Sequence, residues 1–265
     1  MNRWFPAAVA AIMGAGLLAG CVAEVDTLEV QREEVTSSDH LAAEELRGEL
    51  RKLIQEVNEE HGGRIGIAVA TGDGVVRAGL SGHSWAWSTI KVPVALAADA
   101  RGLAEEELVQ ASISQSDNDA AYLLSLLIDN DHDGLPHVPE LAEWPGETEW
   151  SLSEQAQFAA GLPCTDTVGT TYGAMGEIVD WQQVGLSQIP GARFKAGWGQ
   201  DTDTVYTLRQ LGTAPAGTGV VGLAVITHPD DGTHATAEEI LDEVGLGLKE
   251  LIDARSISPA DTCGR

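Results

Sequence analysis

The stretch Trp87-Ser88-Thr89-Ile90-Lys91-Val92-Pro93 decides how this chain is read. It follows a turn-rich segment and opens an apolar run that predicts a helix from about Ser88 through Ala100. Residues three apart share a helix face, so Ser88 and Lys91 stand side by side. A serine hydroxyl is a weak nucleophile until a neighbour takes its proton. A lysine can do so once burial or a second cation lowers its pKa. A helix N-terminus favours negative charge developing beside it. Pro93 falls in the first turns, where it removes few hydrogen bonds. Alone, Ser-x-x-Lys also describes an ordinary helix start.

Two further short elements follow. Ser116-Asp117-Asn118 forms a polar corner between helices predicted over 104–115 and 119–128. These residue types also make ordinary N-caps and turns. Lys195-Ala196-Gly197, followed by Trp198-Gly199, lies on the first of three late strands, where glycine marks close approach of backbone or ligand.

Leu41, Leu46, Leu50, Leu53, Ile54 and Val57 recur at helical spacing up to Gly62-Gly63. Runs 65–70 and 75–80 flank Thr71-Gly72-Asp73-Gly74 and predict a hairpin. Ser151 and Glu154 have capping-box spacing and open a helix through about Gly161. A helix is also expected over 173–186, then strands over 192–199, 205–211 and 219–227. A last helix, capped by Thr236 and Glu239, aligns Ile240, Leu241, Val244, Leu248, Leu251 and Ile252. The expected fold class is α+β: an antiparallel sheet built from both chain ends, flanked by terminal helices, plus an all-helical lobe.

In this order and setting the three elements resemble the penicillin-recognising serine hydrolases, the class A β-lactamases and penicillin-binding proteins, with their S-x-x-K, S-D-N and K-T-G elements. The resemblance spans roughly residues 40–252 and implies a role for each residue. Ser88 would attack the carbonyl and become acylated, with Lys91 as base. Ser116 would relay a proton to the leaving nitrogen, and Lys195 would hold Ser116 and attract a substrate carboxylate. Asn118 would hold the substrate's amide, and the N–H groups of Ser88 and Trp198 would form the oxyanion hole, with Ala196 and Gly197 in the binding strand. Asp117 reads as structural. The implied substrate is a β-lactam, a peptidoglycan-like D-Ala-D-Ala amide, or another amide or ester, with no cofactor and no metal.

Three departures bear on this reading. Ser88 and Ser116 are only 28 residues apart (116 − 88), so part of the helical lobe is missing and one cleft wall should be open. Position 196 is Ala, without the hydroxyl that normally helps hold a carboxylate, and Arg209 on the next strand is the candidate to compensate. No E-x-x-L-N element is present; Glu140, Glu143, Glu147 and Glu149 lack the right following residues. The alternative is a binding lipoprotein of the cell envelope with a reduced active site.

The N-terminus supplies an address. Arg3 precedes an apolar run ending Leu18-Ala19-Gly20-Cys21, which resembles a lipoprotein signal peptide cleaved before a lipidated Cys21. An uncleaved anchor is the other reading; both place the chain outside the cytoplasmic membrane. The domains expected are a signal peptide over 1–20, an acidic tether over 21–39 and the catalytic-type domain over 40–265, acting as a monomer. Cys164 and Cys263 then remain, as a disulfide in an oxidising compartment or as two unpaired thiols. Fifteen Lys and Arg against 41 Asp and Glu give a net charge of −26, which excludes nucleic acid as a partner. There are only four lysines, Lys52, Lys91, Lys195 and Lys249, and two of them stand in the Ser-x-x-Lys and Lys-x-Gly elements. Asp129, Asp131, Asp133, Gly134 and Glu140 have EF-hand spacing, but Pro136 and Pro139 interrupt the loop and no helix is expected after it, so a solvated turn is the simpler reading. Trp85 and Trp87 are candidates for the cleft, with packing beneath the nucleophile the simpler reading for at least one of them; Trp144, Trp150 and Trp181 are expected in the core.

Overall fold

The structure is a computed structural model that describes residues 37–202, 205–254 and 257–260. The leader, Cys21, most of the tether and Cys263 lie outside the described residues. No helix among the described residues is long and apolar enough to cross a membrane.

Five antiparallel strands form the main sheet in the order β2-β1-β7-β6-β5. They are β1 (Arg64–Thr71), β2 (Gly74–Gly79), β5 (Arg193–Thr202), β6 (Val205–Ala216) and β7 (Gly219–His228). Helix α1 (Ser37–His61) and helix α7 (His234–Asp253) share one core with Ile67, Val69, Leu223 and Val225. On the opposite face Ala68, Ala224 and Ile226 pack against Leu152 and Ala156 of α5 (Leu152–Thr165). The small side chains there admit α5 closely: a Cβ on Gly222 would lie 2.0 Å from the Ala156 carbonyl oxygen.

Helix α2 (Lys91–Ala100) is buried from Lys91 through Ala98, all round rather than on one stripe, and forms the axis of the helical part. Helices α3 (Glu106–Ser114) and α4 (Asn118–Leu127) pack beside it, as does the short α6 (Thr170–Ala174). Between them and the sheet, β3 (His83–Trp85) pairs with β4 (Glu149–Ser151).

The structure corrects four expectations. Residues 173–186 do not form one helix: after α6 come 3-10 turns at Asp180–Gln182 and Gly185–Gln188, and Gly185 has φ +63°. A Cβ there would meet the Gln210 carboxamide at 2.3 Å, so tertiary packing fixes this break. The cap of α7 is Thr233, whose side chain accepts from the Thr236 amide, rather than Thr236 itself. Ser88 sits in a 3-10 turn (Trp87–Ile90) that leads into α2, not in the α-helix. Trp144 and Trp181 are exposed, at 64% and 63%, whereas Trp150 is fully buried as expected. The Ser151–Glu154 capping box is present in both directions.

Candidate active site

Ser88 is held from several sides. Thr89, fully buried, donates to the Ala86 carbonyl and accepts from Gln155 of α5. Trp87 is pulled into the left-handed region at φ +50°. Its indole N–H donates to Asp201 at 2.8 Å. Its ring fills the space over Gly199, where a Cβ would come within 2.2 Å of it. Such a conformation costs about 1–3 kcal/mol and persists only where its surroundings enforce it. Strand β5 is the edge of the sheet and runs directly against the nucleophile: a Cβ on Gly197 would stand 2.6 Å from the Ser88 amide nitrogen. Only glycine allows that approach.

The polar corner is equally constrained. Ser116 also has positive φ, at +58°. Asp117 caps α4 by accepting from the Ala120 N–H at 2.7 Å, so it is structural, as read from sequence. The Asp117 amide donates back to the Ala111 carbonyl.

The two lysines converge on this corner. Lys91 is 6% exposed and donates to the Ser116 carbonyl at 2.6 Å, the Asn118 Oδ1 at 2.7 Å and the Asp117 carbonyl at 3.2 Å. Its Nζ lies 3.3 Å from the Ser116 Oγ. None of its hydrogen bonds goes to Ser88. Lys195, fully buried, donates to the same Ser116 Oγ at 3.0 Å and to the Ala196 carbonyl at 2.8 Å. Burial lowers the Lys91 pKa to about 8, partly opposed by Asp117. Burial, and then the nearby Lys91 charge, hold Lys195 well below the ordinary lysine value. Ser116 Oγ thus sits between two amines, each driven toward its neutral form.

These groups meet at a cleft of about 580 Å³. Ser88, Lys91, Ser116 and Asn118 form its polar floor, and Trp198 closes one end. Ala121, Tyr122 and Ser125 of α4 form one wall, and Trp144 through Glu147 form the other. Lys195, Ala196 and Gly197 do not line it: Lys195 works through Ser116, Gly197 through its backbone, and Ala196 is 2% exposed. Helix α4 also leaves Tyr122, Leu123, Leu126 and Leu127 exposed.

Arg209 does not compensate for Ala196. It is fully buried and donates to the carbonyls of Ser84, Trp85 and Trp150, and to the Ser84 hydroxyl. It fastens the β3–β4 pair to the sheet rather than facing the cleft.

Glu147 is the residue that sequence reasoning set aside. It is the only carboxylate lining the cleft among the described residues. Its neighbours explain the placement: the Ala86 amide donates to the Thr148 carbonyl at 2.9 Å, and Gly146 backs onto Trp87. No following-residue pattern carries that signal; the tertiary bond between 86 and 148 does. In the Asp129–Glu140 loop, Asp133 is paired with Arg101, and Asp131 accepts from the Asp133 amide.

No protein-family model matches this chain, and no curated protein does. Solved structures do match. The TLA-3 extended-spectrum β-lactamase has a TM-score of 0.63 at 12% identity, covering 77% of this chain and 98% of that one. A class A β-lactamase from Bacteroides cellulosilyticus has a TM-score of 0.61 at 16% identity, covering 77% and 98%. A β-lactamase from Burkholderia vietnamiensis has a TM-score of 0.61 at 16% identity, covering 76% and 96%. The fold built here around Ser88, Ser116 and Lys195 is therefore similar to that of the class A β-lactamases.

Proposed function

We propose that this protein is a β-lactamase-like serine hydrolase that forms an acyl-enzyme at Ser88. One observation carries the reading: a serine hydroxyl held between two buried lysines, Lys91 and Lys195, on the floor of a cleft that also exposes Ser88. Neutral Lys91, once it releases the Ser116–Asn118 corner, takes the Ser88 proton. Ser116, coupled to both amines, passes a proton to the leaving atom. Gly197 lets β5 approach the Ser88 amide, so strand and turn together present N–H groups to the developing oxyanion. Glu147, set in the cleft wall, is the base that activates water against the acyl-enzyme. The resemblance supplies a first test set of β-lactams and D-Ala-D-Ala-like amides.

The test is a fluorophosphonate label followed by intact-protein mass. One adduct is expected, absent in Ser88→Ala and much slowed in Lys91→Ala with the fold retained. No adduct and no ester hydrolysis over hours would sink the reading and leave a non-catalytic binding protein of the envelope.

The chain also acts, in this reading, as an exported monomer anchored through lipid on Cys21. The leader pattern supports the anchor; labelled palmitate should enter the protein and be lost in Cys21→Ala. A Cys164–Cys263 disulfide belongs to the same reading. It is supported by the position of Ala260, which packs with Ala160 of α5 one turn before Cys164.

A further inference from the structure

We infer that the cleft selects neutral acyl esters or amides with an apolar acyl group, and disfavours substrates that carry a carboxylate beside the scissile bond. The inference rests on Ser88 being the acylated residue. The hydroxyl at position 196 is absent, and each nearby cation is committed elsewhere. Position 196 offers no hydroxyl and its side chain is buried. Arg209 is turned to the carbonyls of Ser84, Trp85 and Trp150. Lys195 is fully buried, outside the cleft lining, and bonded to Ser116 and Ala196. Lys91, the remaining cation at the cleft, spends its short hydrogen bonds on the Ser116 carbonyl and Asn118. A carboxylate entering there would lose its water and find neutral donors only, the hydroxyls of Ser88 and Ser116 and the Asn118 amide, with no cation free to pair with it. It would also meet Glu147 in the wall and a net charge of −26.

The rest of the cleft suits an apolar group. Ile90, at the end of the 3-10 turn, and Val94 of α2 line the cleft together with Tyr122 and Trp144, which are 56% and 64% exposed. Aromatic rings left in water at the mouth gain most from covering an apolar substituent.

The chemistry balances as a hydrolysis. Attack by the Ser88 Oγ forms the acyl–Oγ bond and breaks the bond from the carbonyl carbon to the leaving oxygen or nitrogen. The serine proton passes through Lys91 and Ser116 to the leaving atom. Water then adds to the acyl carbon, the acyl–Oγ bond breaks, one water proton returns to Ser88, and a free acid leaves.

The experiment uses the full chain and two matched esters of phenylacetylglycine, one with a 3-carbamoylphenyl and one with a 3-carboxyphenyl leaving group. The carbamoyl ester is expected to have a kcat/KM about tenfold higher or more. Tyr122→Ser and Trp144→Ser should each lower kcat/KM for the carbamoylphenyl ester of phenylacetylglycine by about fivefold relative to that of acetylglycine. Equal or faster turnover of the carboxyphenyl ester, rapid acylation by benzylpenicillin, or an unmoved acyl-group ratio in both variants overturns the inference. Fluorophosphonate labelling separates the two levels. Label on Ser88 with a carboxylate preference, or with no ester turnover, defeats this inference alone; no label and no turnover defeats the hydrolase reading and the inference with it.

Discussion

Lys91 carries the most specific prediction at the scale of single residues. Burial brings its pKa to about 8, so near neutral pH it is mostly charged and its base function is limited by deprotonation. Acylation of Ser88 should therefore rise with pH up to about 8 and level off above it. A time course of phosphonate labelling between pH 6 and 9.5 reads this, and a flat profile would contradict it. The same shift has a stability sign. The native lysine loses its proton before the unfolded one does, so the unfolded chain binds more protons from about pH 8 up to the model-peptide value of about 10.4. This group's contribution makes the fold more stable as pH rises through that window; below pH 8 its burial cost is fully present. Glu147 gives a second outcome: Glu147→Gln should leave acylation by an ester intact and let the acyl-enzyme accumulate, seen as a persistent mass adduct. Arg209→Met should cost about 3 kcal/mol in urea unfolding, because three carbonyls lose their donor. The convergence of Lys91, Ser116 and Lys195 beside Ser88 was legible because the proposed chemistry calls for those residue types in that order. Glu147 and Arg209 were not, because their roles depend on which loop or carbonyl each faces, and no local spacing encodes that.

At the scale of elements, β5 and the turn before α2 are one device. The strand comes close enough to the Ser88 amide that a Cβ at Gly197 would lie 2.6 Å from it. Gly197→Ala must push strand and turn apart, and phosphonate labelling of Ser88 should fall by about a hundredfold, the scale of losing one oxyanion donor. The melting temperature should also fall, by several degrees, because the added Cβ meets backbone and overpacking of this kind costs about 1–3 kcal/mol. The hairpin, α1, α3, α4, α5 and the late strands were readable because period and turn chemistry agree in each. The stretch 173–186 was not: its apolar spacing is compatible with a helix, but Gly185 is pressed between Gln210 and α7, with a Cβ there 3.1 Å from Leu241. Trp144 and Trp181 were misplaced for a related reason. Burial is the usual fate of tryptophan, but Trp144 lines an open cleft and stays 64% exposed.

The whole molecule is assembled from distant parts of the chain. The nucleophile comes from residue 88, the corner from 116 and the second lysine from 195; Lys91 meets the corner through α2 and α4, and Lys195 joins them from β5 of the sheet. The sheet order places β7, the last strand synthesised, in the middle, bonded to β1 on one side and β6 on the other. A chain emerging from the ribosome therefore holds the hairpin of β1 and β2 but has no surface on which to dock β6 and β5 until residues 219–228 are free. Long-range pairing of this kind makes folding slow. Until its last strand arrives, the growing polypeptide has no sheet to carry Lys195 to Ser116, so the three-way meeting of Lys91, Ser116 and Lys195 waits on residues that lie beyond all of them.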